Sequence, residues 1–185
     1  MARKTIPLAS RDPSWALTSR PAAAAAVLAS IAAVAPFGTA DPVLLINTTP
    51  SEPEGLYLVT RGPPAPGRLI AFRTPAAAFP YADARLSYLH HMPMLKSVAA
   101  VPGDEVCTLG GRLRINGRDR AGIVARDPRG AALPHWAGCR RLTPGELFVF
   151  SSHAPNSFDS RYFGPVRISA VIGVYTPFLT LTGLV

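Results

Sequence analysis

Leu95-Lys96-Ser97-Val98-Ala99-Ala100-Val101-Pro102-Gly103-Asp104 is a strand-forming apolar run that ends in a turn, with a single cation inside it. Of the nineteen lysines and arginines in the chain only two, Lys4 and Lys96, are lysine. Lys4 belongs to the basic N-terminus. Arginine stays protonated in a protein, whereas a buried lysine can lose its proton. A lysine set among valines and alanines is therefore a candidate general base. The competing reading is a lysine whose stem lies along a strand edge while its amine reaches water.

The 185 residues suit one domain with a real core, after allowance for an N-terminal segment. The net charge of +8 raises nucleic-acid binding as a question. The arginines are scattered, however, and no aromatic side chains alternate with them as stacking platforms would, so no nucleic-acid partner is expected. Arg112-Leu113-Arg114-Ile115-Asn116-Gly117-Arg118-Asp119-Arg120 alternates like a half-exposed hairpin turning at Asn116-Gly117.

Residues 1–20 carry Arg3, Lys4, Arg11 and Arg20, and residues 21–40 are free of charge and rich in alanine. Twenty helical residues at ~1.5 Å each just match a bilayer core of ~30 Å. Positive charge before the span predicts a cytoplasmic N-terminus (1–20), a transmembrane anchor (21–40) and an exported body (41–185). A signal segment cleaved after Gly38-Thr39-Ala40 and a buried soluble helix are the alternatives. The charge-free tail from Ile168 to Val185 is diluted by Gly173, Pro177 and threonines, and reads as a strand with an apolar tail. Cys107 and Cys139 fit an oxidising compartment and are a candidate disulfide. Neither has a ligand partner at metal-binding spacing, so no metal or other cofactor is expected.

The body reads as strands at Gly55–Thr60, Arg68–Phe72, Ser97–Val101, Leu113–Ile115, Ala121–Ala125, Glu146–Phe150 and Val166–Tyr175, with a short helix between Ala76 and Leu89 interrupted by Pro80. Twenty prolines add many turns, as in an irregular antiparallel barrel or sandwich. Ser51 lies between Pro50 and Pro53, with Gly55 after them. Such a turn can present a hydroxyl while its N–H groups face an oxyanion, and Thr49 could add a donor. Taken alone, Pro50-Ser51-Glu52-Pro53 is a plain surface turn. Serine needs a base to become a nucleophile, and a neutral Lys96 could supply one. In Asn156-Ser157-Phe158-Asp159-Ser160-Arg161-Tyr162, an Asp159–Arg161 pair would fix the loop, and Ser157 could hydrogen-bond the lysine amine.

Taken together, Ser51-Glu52-Pro53-Glu54-Gly55-Leu56-Tyr57, Leu95 to Asp104, and Asn156 to Val166 resemble the type I signal peptidases in order and spacing. The likeness is strongest to the TraF-type conjugative-transfer peptidases that mature pilin subunits. The resemblance implies Ser51 as nucleophile, Lys96 as general base, Ser157 as the residue orienting the lysine, Thr49 at the oxyanion hole, and Asp159 with Arg161 as a supporting pair. It implies a mostly β, antiparallel core of the signal-peptidase and LexA kind with short helices, behind one transmembrane helix. It also implies a site in the bacterial inner membrane with the catalytic domain in the periplasm, an exported precursor such as a prepilin as substrate, and conjugative-transfer or type IV secretion components as partners. Two departures stand out. Ser51-Glu52-Pro53 replaces the Ser-Met-x-Pro of housekeeping enzymes, and His153-Ala154-Pro155 replaces the Gly-Asp that commonly opens the third motif. The first argues against general preprotein processing.

Rival readings remain open on the residues alone. A Ser51–His153–Asp159 triad can be written. His90-His91 suggests a metal pair, although neighbours on a strand point to opposite faces. A LexA-type self-cleaving switch shares the Ser–Lys logic but would need a DNA-binding head where the apolar span lies. A catalytically silent adaptor in a secretion or conjugation assembly would be expected to lack Ser51 or Lys96. The expectation carried forward is a Ser/Lys endopeptidase, with either hydrolysis or cyclisation of the cleaved precursor.

Overall fold

Lys96 lies inside a seven-residue strand rather than at its margin. A computed structural model describes residues 42–181 of the chain. The basic N-terminus, the expected anchor at 21–40 and residues 182–185 lie outside the described residues. Among the described residues no helix is long and apolar enough to cross a membrane.

Eleven strands form two antiparallel sheets among the described residues. The strands are β1 (Leu44–Asn47), β2 (Gly55–Thr60), β3 (Leu69–Phe72), β4 (Met94–Ala100), β5 (Glu105–Cys107), β6 (Arg112–Ile115), β7 (Arg118–Gly122), β8 (Cys139–Arg141), β9 (Glu146–Val149), β10 (Val166–Arg167) and β11 (Val171–Thr180). The larger sheet runs β1-β2-β11-β3-β4-β9-β10 and the smaller runs β7-β6-β5-β8. Among the described residues helix is confined to α1 (Tyr81–Arg85), α2 (Ser160–Phe163) and a few single 3-10 turns.

The strand patterning explains this arrangement. Side chains alternate across a strand, so Met94, Lys96 and Val98 share one face of β4, and Leu95 takes the other. Met94 and Val98 join Ile70, Phe72, Val149 and Tyr162 in the main core. Leu95 packs with Tyr57, Ala71 and Tyr175 on the opposite side. Lys96 is thus inserted between two core residues. β4 also has an unequal pair of edges. β3 pairs with it from Met94 to Ser97, whereas β9 reaches it only at Val98 and Ala100. The first half of β4 therefore has a strand on one side only.

Several boundaries differ from the expectation. β4 begins at Met94, three residues before the expected start. The Ala76–Leu89 helix is broken into a 3-10 turn at Ala76–Ala78, α1, and a second 3-10 turn at Ser87–His90. Pro80, as N-cap of α1, has no N–H to continue a helix through this point. The expected Val166–Tyr175 strand is two strands separated by a 3-10 turn at Ile168–Ala170, and β11 continues past Pro177 through a register shift. The hairpin turns at Asn116-Gly117 as read. Both residues have positive φ (51° and 75°), and β7 starts immediately at Arg118 rather than at Ala121.

Gly55 opens β2 at φ 149°, where a Cβ would collide with the Leu179 carbonyl of β11. Asp104 fastens the turn after β4, accepting from Val101 N at 2.9 Å and from Asn116 Nδ2 at 2.8 Å. Cys107 and Cys139, register partners on β5 and β8, are joined in a disulfide. Exposed apolar side chains gather on the β1–β2–β11 side: Val43, Leu44, Ile46, Phe178, Leu179 and Leu181.

The disulfide links residues 32 apart, a loop whose closure is worth ~3–4 kcal/mol by chain entropy. Replacing both cysteines by serine is expected to lower unfolding stability by that order, read as an earlier denaturant midpoint. An unchanged midpoint would show that the bond constrains nothing.

Candidate active site

The turn between β1 and β2 is organised by Asn47, which the sequence reading passed over. Its Nδ2 lies within donating distance of the carbonyls of Thr49 (2.9 Å), Glu52 (2.8 Å) and Pro53 (3.1 Å). Its Oδ1 accepts from Thr49 N at 3.2 Å and from Thr49 Oγ1 at 2.8 Å. Asparagine suits such a turn because one short amide both donates and accepts. Tyr57 adds a bond from its hydroxyl to the Pro53 carbonyl.

Within this turn Ser51 is half-buried, and its Oγ lies 3.2 Å from Thr49 Oγ1. A hydroxyl has one proton to give. With Thr49 donating to Asn47, the Thr49–Ser51 contact is a donation from Ser51. Thr49 would have to leave Asn47 before it could donate to an oxyanion. The Ser51 carbonyl accepts from the hydroxyl of buried Ser151, whose N–H in turn donates to Asp159 Oδ2 at 3.3 Å. The Ser51 turn is thereby tied to the third motif.

Lys96 is 5% exposed. Burial drives its pKa down from 10.5 to about 8; Asp159 and then Glu52 oppose the fall, and Arg161 adds to it. A cleft of about 510 Å³ is lined by Thr49, Ser51, Lys96 and Ser157 together with apolar residues such as Leu89 and Met94. The structure thus brings four of the six candidate residues to one opening. Ser157 Oγ is buried without a hydrogen-bond partner, an unsatisfied hydroxyl on the same cleft as the amine.

Asp159 and Arg161 do not line that cleft. They form a buried bidentate pair, Nε to Oδ1 at 2.8 Å and Nη2 to Oδ2 at 2.9 Å. Asp159 also caps α2 through Arg161 N at 3.2 Å. The guanidinium spends its remaining donors on the carbonyls of Gly122 (3.0 Å), Pro155 (3.3 Å) and Ser157 (3.0 Å). The pair thus ties the loop that carries Ser157 to the end of β7.

The triad alternative is not assembled. Both Asp159 oxygens serve Arg161, while His153 Nε2 faces Glu52 Oε2 at 3.9 Å. The His90-His91 pair is not on a strand. His90 lies in a 3-10 turn, bonds Asp83 at 2.5 Å and stacks on Phe79. Glu52, read as part of a surface turn, is buried. Its carboxylate accepts from Ser97 N at 3.1 Å and Ser97 Oγ at 3.2 Å. A carboxylate beside a serine in a Pro-rich turn gives no local sign of burial, because its partner is 45 residues away.

The signal peptidase, peptidase S26 family matches residues 14–179. The chain is 34% identical to the plasmid transfer protein TraF of Escherichia coli over 146 residues, covering 73% of this chain and 82% of that protein. It is 38% identical to the conjugal transfer protein TraF of Agrobacterium fabrum over 147 residues, covering 73% and 81%. A signal peptidase I from Enterococcus faecalis V583 overlays 63% of this chain at a TM-score of 0.39 and 22% identity, with all 100% of that chain covered. That overlay is too loose to carry an argument about the site.

Asn47→Ala removes the amide that closes the Ser51 turn. The expected result is a loss of roughly 2–3 kcal/mol of stability and a fall in turnover larger than any change in substrate affinity. Wild-type turnover in a folded Asn47→Ala protein would show that the turn holds itself.

Proposed function

The chain belongs to the signal peptidase family, peptidase S26, and we propose that it is a membrane-anchored serine endopeptidase in which Ser51 is the nucleophile and Lys96 the general base. The observation that carries this reading is the Lys96 amine. It is buried, its pKa is brought to about 8 by burial, and it lines the same cleft as the Ser51 hydroxyl. A silent adaptor would gain nothing from holding an amine that sheds its proton so readily.

In this mechanism neutral Lys96 takes the Ser51 proton as Oγ attacks the scissile carbonyl carbon. Backbone N–H groups of the turn, with Thr49 once released from Asn47, would stabilise the oxyanion. The leaving amine takes the proton from the Lys96 ammonium as the peptide bond breaks, leaving an ester on Ser51. Water, deprotonated by Lys96, then attacks the ester and frees the enzyme. Attack by the substrate's own terminal amine would instead give a cyclic product. Ser157 supports the scheme as the hydroxyl available to aim the amine.

The relatives named for plasmid and conjugal transfer support an exported precursor of such a system, for example a prepilin, as substrate. They also favour transfer-apparatus components as partners. The apolar residues lining the cleft suit small or apolar side chains beside the scissile bond. Residues 21–40 would hold the protein in the bacterial inner membrane with the body in the periplasm. The exposed apolar residues around Ile46 and Phe178 offer that body a face for lipid.

The test is to incubate detergent-solubilised wild type, Ser51→Ala and Lys96→Arg with pilin precursors from the same transfer system and read product masses. Both variants are expected to lose activity by 10³-fold or more, on the order seen for removal of a nucleophile or its base. Processing by Lys96→Arg at the wild-type rate would end the dyad reading, since a guanidinium cannot act as the base. A product lighter by one further water identifies ring closure. Wild-type kcat/KM is expected to rise as pH passes through about 8, because only the deprotonated amine is competent. A profile flat from about pH 6 to about pH 9 would contradict a lysine base.

A further inference from the structure

Glu52 follows the nucleophile directly in sequence and lies behind the cleft wall, only 1% exposed. A carboxylate in that position is costly unless something answers its charge. Its burial pushes its pKa up, while the Ser97 N–H, the Lys96 charge, the Ser97 hydroxyl and His153 each act to hold it down. The contact with Ser97 also has a geometric meaning. Ser97 O accepts from Phe150 N at 3.0 Å as β9 departs, whereas the Ser97 N–H is taken by Glu52 Oε1. Glu52 therefore replaces the missing strand at the point where the β4–β9 ladder ends. It does so one residue from Lys96.

Resting on the assignment of Ser51 and Lys96 above, we propose that Glu52 is a positioning residue for the base. Its carboxylate fastens β4 to the nucleophile turn through both donors of Ser97 and provides part of the negative charge against which the Lys96 ammonium is held.

Two functions follow from that placement. The backbone of Ser51 and the strand carrying Lys96 are coupled through one side chain, so hydroxyl and amine keep their relative position. The proton affinity of the amine is also kept up. Burial alone would make Lys96 a weaker base, and Asp159 and Glu52 offset that, in that order, against Arg161. The charged and titratable groups around the carboxylate are Lys96 on β4, His153 on the loop after β9 and Tyr57 on β2; Asp159 and Arg161 at α2 act on the Lys96 amine. The Tyr57 phenol is pushed up by burial and by Glu52.

Because the chain has only two lysines, the amine can be followed directly. Full-length protein carrying ¹³C-lysine, in detergent micelles, is titrated by NMR, with Lys4 as internal reference. Glu52→Gln keeps an oxygen for the Ser97 donors and removes the charge. The expected result is a Lys96 midpoint moved toward acid by roughly one pH unit, with Lys4 unmoved. The acid limb of kcat/KM should move in the same direction. A Lys96 midpoint identical to wild type in folded Glu52→Gln would overturn the proposal. Because His153 faces the same carboxylate, the comparison is repeated in His153→Asn protein. A shift that vanishes there assigns the effect to the imidazole and also overturns the proposal. Failure of the underlying reading has a different signature, full activity in Lys96→Arg, whatever the Glu52→Gln titration shows.

Discussion

An ammonium placed between Met94 and Val98 is the constraint around which this domain is arranged. Water solvates such a group far better than a sheet of valine, methionine and phenylalanine can. The fall in pKa from 10.5 to about 8 corresponds to roughly 3 kcal/mol of lost preference for the charged form, a large share of what holds a domain this size together. That loss is what remains after two buried carboxylates, Asp159 and Glu52, have offset part of the cost of burial, with Arg161 working against them. The outcome is an amine that neither remains locked as a cation nor becomes too weak to take a proton.

The same economy shapes the turn that carries Ser51. Its peptide groups would need water if the turn were free. Here one asparagine amide collects three carbonyls and two donors of Thr49, Glu52 and Pro53, and buried Ser151, just after β9, holds the Ser51 carbonyl. A hydroxyl held by bonds at its backbone is positioned without any grip on its own oxygen beyond Thr49. That hydroxyl has only to turn from Thr49 to offer its proton to a base.

What could be read from the chain before its fold was known follows from how locally each feature is encoded. Lys96 declares itself by being a lysine where every comparable cation is arginine and every neighbour is small or apolar. Asn116-Gly117 demands positive φ and places its hairpin to the residue. Cys107 and Cys139 meet as a compartment argument suggested. Glu52, Ser151 and Asn47 were missed for one shared reason: their roles depend on partners reached only through tertiary contact, or on a turn whose closure no single residue reveals. Ser151 meets Ser51 100 residues away in sequence. The break expected at Pro80 in the Ala76–Leu89 helix falls there, because a missing N–H is a local signal, whereas the second break at Leu86 was not legible from composition.

Arg161 adds a polar tie between the two sheets to the apolar one made where Val106, Leu113 and Ile115 pack with Ala100 and Phe148. One nitrogen of its guanidinium holds the Gly122 carbonyl at the end of β7 in the small sheet, while another holds the Ser157 carbonyl beside the cleft. The hairpin that looks like peripheral ornament is thus wired to the loop that carries Ser157. Drift in that hairpin, through loosened pairing or an altered terminus of β7, would reach the Ser157 loop through this side chain as well as through the shared apolar contacts. Removing that guanidinium would therefore free the end of β7 and the Ser157 loop at one stroke.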